Sequence, residues 1–189
     1  MNKKDLKQLK KIKSDQETQK RILEPIAQQI LKRSKRAIFA LQRNDIVLAN
    51  KLIQESDLDI KKVEKIIKKQ PAINNNSVWK SAQEEYLEAF FFQSWLKDFH
   101  IDINKSVSSY AVDIILGALA DTAGELARHC VLQATQHNLV FVEKAYQSTN
   151  QIVDFLADLD LTGNLRSKFD QAQRHLKKIE SIRYDLSQR

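Results

Sequence analysis

Apolar residues recur every three or four positions along most of this chain, and only short polar stretches interrupt them. Ile22, Ile26, Ile30, Ile38 and Leu41 trace one such stripe, which opens near Ser14 and Glu17, a pair with the spacing of a capping box. Pro25 either kinks this helix or sits in the first turn of a new one. Two shorter helices follow, "DIVLANKLIQES" and "DIKKVEKIIKKQ", the second ending at Pro71. "PAINNNS" is the clearest loop, and Ser77 is placed to cap the next helix, which runs to about Phe99. "HIDINKSVS" breaks the pattern. A strongly apolar helix then spans about 107–133, and another, capped by Asn138, spans about 139–158. After the turn "LTGNL", a last amphipathic helix reaches about Leu186. There is no internal repeat and no alternation of period two. Long helices joined by short loops predict an all-α fold, a compact antiparallel bundle of about seven helices. It is read as a single domain over 1–189, with 1–14 as a basic N-terminal extension.

Composition supports that reading. Only 3 Gly and 2 Pro punctuate 189 residues. No apolar run reaches the roughly 18 residues that span a membrane, so no membrane partner is expected. The start "MNKKDLKQLKK" lacks the apolar core of a signal peptide, and a lone Cys130 forms no internal disulfide. Both point to a cytoplasmic chain. The net charge of +7 is uneven: residues 1–43 hold 13 Lys and Arg against 4 acids, and residues 44–189 hold 18 against 20. A basic first quarter suits a polyanion, nucleic acid being the commonest; a solvated helix face explains it equally well.

Acids inside apolar helices are harder to explain. In "EEYLEAFFFQSW", Glu85 and Glu88 share a helix face; in "GALADTAGELARHC", Asp121 and Glu125 do. A buried carboxylate needs a basic partner, a retained proton or a cation. If the two helices pack antiparallel, four carboxylates converge, and an all-oxygen set suits Mg²⁺ or Mn²⁺. Such an ion acts on phosphates. Simpler roles stand beside this one. Glu84 reads as a solvent-facing neighbour, Glu125 and Arg128 as an ion pair, and Asp113 as a first-turn acid. Asp121 has no base in its own stretch. Phe90, Phe91, Phe92 and Trp95 read as core, His100 and His129 as structural, and Cys130 as unreactive.

Four segments together resemble one family: "SKRAIFALQR" (34–43), "EEYLEAFFFQ" (84–93), "YAVDIILGALADTAGELARHCV" (110–131) and "LKKIESIRYDLSQR" (176–189). They are similar, in order, to the translin and translin-associated factor X (TRAX) family. The resemblance implies a fold of about seven helices. It also implies hollow octamers that bind single-stranded nucleic acid and, in the TRAX branch, a Mg²⁺-dependent endoribonuclease. Glu85, Glu88 and Asp121 match the TRAX pattern, Glu125 and Arg128 match both branches, and "YDLSQR" is closer to translin. Gln42 departs from a TRAX histidine. The expectation is a homo-oligomeric, TRAX-like endoribonuclease cutting single-stranded RNA, with single-stranded DNA a further ligand. Glu85, Glu88, Asp121 and Glu125 are its metal and catalytic residues, and Mg²⁺, or Mn²⁺ in its place, its cofactor. Lys35, Arg36, Arg43 and Arg128 are its nucleic-acid contacts. The alternative is a non-catalytic translin-like binder of single-stranded RNA or DNA.

Overall fold

The structure is a computed structural model and describes residues 2–69 and 71–188. Its helices are α1 (Lys3–Gln42), α2 (Ile46–Lys69), α3 (Ser77–Asp98), α4 (Asn104–Val107), α5 (Val112–Thr135), α6 (Leu139–Ala157) and α7 (Gly163–Ser187). A 3-10 segment, Pro71–Asn75, joins α2 to α3. No strand occurs among the described residues, so the chain is all-α as predicted.

Several boundaries differ from the expectation, each for a local reason. Helix α1 starts at Lys3 because Asn2 accepts the amide of Lys4; Ser14 lies inside it, and its carbonyl accepts the Thr18 hydroxyl. The helix runs on through Pro25. The two short helices expected over 45–70 are one, since Ser56 lies buried in mid-helix with its hydroxyl on the Leu52 carbonyl. Gln70, the last residue of that prediction, lies outside the described residues, as do Met1 and Arg189. Asn76, not Ser77, caps α3 by accepting the Trp79 amide. Asn138 caps α6 through the Phe141 amide, as expected.

Helix α3 packs against α1, α2 and α5, and α5 packs against α3, α6 and α7. These two central helices are therefore apolar on most sides. Phe91, Phe92, Trp95 and Trp79 are completely buried, and the Trp95 indole donates to Ser148 at 2.8 Å. Each such aromatic contributes about 1.5–3 kcal/mol by leaving water.

Helices joined by short turns are antiparallel: Arg33 of α1 meets Glu55 of α2, and Arg183 of α7 meets Glu143 of α6. The acid-bearing pair differs. Glu84 lies at Gly117 and Phe92 at His129, so α3 and α5 run in the same direction. Residues 99–111, including α4, carry the chain back between them. Lys35 meets Glu85 and Lys168 meets Asp121, which sets α1 beside α3 and α7 beside α5 in one layer around the acids.

Candidate functional site

Two stripes bring the polar residues together. On α5, positions 117, 121, 124 and 128 share a face, and none is a large apolar residue. On α7, Leu165, Ala172 and Ile179 point into the bundle, with Lys168 and His175 at the alternate seam positions. Gly124 makes room for His175: a Cβ there would lie 3.1 Å from its Nε2. A cleft of about 380 Å³ opens along this seam, lined by Glu88, Asp121, Glu125, Arg128, His175 and Lys178 among others.

The four predicted acids do converge here, although α3 and α5 run parallel. Three of them already have partners. Glu85 faces Lys35 at 3.8 Å. Glu125 accepts from Gln42 Nε2 at 2.6 Å, and its own carbonyl accepts from the same nitrogen at 3.0 Å. The expected pair with Arg128 is present but looser, at 3.7 Å. Asp121, which has no base in its own stretch, receives one from a distant helix: Lys168 of α7 bonds it directly.

Glu84 is a correction. It does not face solvent but turns inward to Lys168, at 3.2 Å. The Lys168 side chain is only 14% exposed, so its ammonium sits inside the cluster. Burial raises the pKa of Glu84 and of Glu85, against the pull of Lys168 and Lys35 respectively.

Glu88 is left over. It is 9% exposed and makes no hydrogen bond or ion pair with a described residue. Burial, then the charges of Glu85, Asp121 and Glu125, push its pKa up to about 9, so it keeps its proton at neutral pH. Asp59 shows the contrast. There Lys62 and Arg33 outweigh the burial and hold its carboxyl below the usual range. Glu88 has only the more distant charge of Lys168 to oppose its burial, and no hydrogen bond or ion pair to a described residue.

The donor chemistry fits a hard divalent cation: four carboxylates, one of them retaining a proton that an ion would displace. As they stand, however, no three Asp, Glu, His or Cys side chains among the described residues are arranged to hold a metal. Three of the four acids are instead engaged by Lys35, Lys168 and Gln42.

Of the predicted basic residues, Arg128 lines the cleft and Lys35 reaches Glu85. Lys35, Arg36, Arg43 and Arg128 are all exposed, and the Arg128 guanidinium sits 6.0 Å from the exposed Phe39 ring. Gln42 tethers Glu125 to His129, its Oε1 accepting from His129 Nδ1 at 3.1 Å. His129 is buried against Phe92 and Phe141, and burial lowers its pKa, as befits a structural histidine. Cys130 is buried and its thiol is pushed up to about 12. The aromatics from Phe90 to Trp95 belong to the core apart from half-buried Phe90. Asp113 sits in the first turn of α5. Sequence reasoning missed Lys168 and His175. Their signal was two ionisable residues seven apart on the apolar seam of the last helix.

Comparison with known proteins agrees with this architecture. Apo NeC3PO is similar over 98% of each chain, with a TM-score of 0.83 and 24% identity. AfC3PO in complex with duplex RNA is similar over 97% of this chain and 96% of the other, with a TM-score of 0.84 and 18% identity. A crystal structure of AfC3PO gives a TM-score of 0.82 at 20% identity, over 97% of each chain. At these identities the likeness establishes the fold alone. No curated protein matches the chain in sequence. The Translin family profile matches residues 17–189, all but the exposed start of α1, and the chain belongs to the Translin family.

Proposed function

We propose that this protein is a Mg²⁺-dependent endoribonuclease that acts on single-stranded RNA within a self-assembled, cytoplasmic oligomer. The observation that carries the proposal is Glu88: a buried, partnerless acid among three others, facing a cleft with a basic rim. Burying it costs several kcal/mol if it ionises unaided, and no packing role requires a carboxyl there. Glu85, Glu88, Asp121 and Glu125 would hold Mg²⁺, for which Mn²⁺ substitutes. Such an ion supplies a Lewis acid for the scissile phosphate and a bound water of lowered pKa.

The chain's own side chains do the rest. Lys35, Arg36, Arg43 and Arg128 grip phosphates, an interaction that positions the strand without reading its sequence. Gln42 fixes the Glu125 carboxylate.

A second reading is a translin-like protein that binds RNA without cutting it. Lys168 favours it, because its ammonium already pairs with Asp121 and Glu84. AfC3PO is known in complex with duplex RNA, so a duplex is a further candidate ligand under this reading. Crystals soaked in Mn²⁺ separate the readings. For the nuclease, anomalous density is expected between α3 and α5, against Glu88. Ordered side chains with no density at millimolar Mn²⁺ would favour the binder.

A further inference from the structure

We propose that Lys168 is a tethered cation that holds the metal-free cluster together and competes with a divalent ion for Asp121. The inference rests on the cation-binding reading above and adds its control element.

The arrangement is built by the fold. Lys168 reaches from α7 to Asp121 of α5 and Glu84 of α3, at 3.2 Å from the latter, so one ammonium joins three helices. Gly117 permits this. A Cβ at that position would meet the Glu84 carboxyl, lying 2.8 Å from its Cδ and closer still to Oε2. Without a side chain at 117, Glu84 swings inward and offers Lys168 its second anchor. Beside them Glu88, nine-tenths buried and without a partner among the described residues, lines the same cleft. Two acids thus hold one nearly enclosed cation, and a third lies beside them.

An ion bound by oxygens needs the lone pairs that Lys168 engages on Asp121. The two cannot hold that carboxylate together, and like charges repel at this distance. A lysine suits the role of a removable plug: its charge is compact and its stem has four flexible carbons. Lys178 and Arg128 line the cleft beyond it. A phosphate chain arriving there gives the displaced ammonium a new partner. RNA entry and ion entry are thereby coupled through one side chain.

The test titrates the full-length chain with Mn²⁺ alone. Bound ion is read by electron paramagnetic resonance and stability by thermal melting, for the parent, Lys168→Met and Gly117→Ala. Lys168→Met is expected to melt lower than the parent without metal and to bind Mn²⁺ roughly tenfold tighter, a modest share of the repulsion from a unit charge a few ångströms away. Gly117→Ala keeps the charge and suits a helix, but pushes Glu84 outward. It is expected to tighten Mn²⁺ binding by a smaller factor, and it decides the matter if Lys168→Met does not fold. Binding unchanged or weakened in the folded variants, with the parent still binding, would overturn the plug and leave the ion site standing. Absence of Mn²⁺ binding in all three would overturn both.

Discussion

At the scale of single residues, Glu88 and Gln42 make the sharpest statements. The Glu88 pKa lies near 9, above its ordinary value of 4.5, so the folded chain holds a proton that the unfolded chain has released. Its contribution to stability is complete below about pH 4.5 and is lost as the pH rises towards about 9. Glu88→Gln imitates the protonated form. In chelator, its advantage over the parent should grow through that window, with a limiting slope of about 1.4 kcal/mol per pH unit. Melting curves at closely spaced pH values check this; parallel profiles would mean Glu88 ionises freely. Gln42 holds Glu125 with two bonds and reaches His129. Gln42→Leu leaves those groups half-satisfied and should cost about 1–3 kcal/mol in urea unfolding, with the slope unchanged. Gln42 thus has a local structural role in this chain.

At the scale of elements, periodicity made every long helix legible, because each buries a stripe or more of apolar side chains. Boundaries were less legible where two signals competed. Ser14 and Glu17 look like a cap, but Asn2 lies upstream and nothing between stops the helix. Ser56 looks like a break, yet buries its hydroxyl on its own backbone. The acid pairs were readable from spacing and resemblance. Lys168 was not, because its partner lies 47 residues away and the parallel path of α3 and α5 is set by the return of 99–111. The first half of α1 carries its own prediction. No described side chain in 2–22 is buried, and the core begins at Leu23. Deleting residues 2–20 should leave the melting temperature of the rest nearly unchanged. It should weaken RNA binding and flatten the salt dependence, by about 0.7 in log–log slope for each phosphate of a single strand that the segment neutralises. A large drop in melting temperature would show that this segment packs on something else.

At the scale of the whole molecule, a basic helix, a carboxylate cluster and a translin-family fold meet around one cleft. Among the described residues, no helix is long and apolar enough to cross a membrane. Val131, Leu132, Leu139 and Val140 are exposed around the turn from α5 to α6, a surface that association would cover. Native mass spectrometry should therefore find a homo-oligomer, an octamer on the family's pattern, and Val140→Glu should shift it to smaller species. Whether the cleft performs chemistry is the central question, and cleavage of single-stranded RNA by the purified full-length protein tests it most directly. Cutting is expected with Mg²⁺ or Mn²⁺ and none in excess chelator. Glu88→Gln should lower the rate by about 100-fold or more, the scale of one lost electrostatic stabiliser, while RNA binding persists. Cleavage that continues in chelator, or that Glu88→Gln leaves intact, would contradict a metal-dependent nuclease built on these acids.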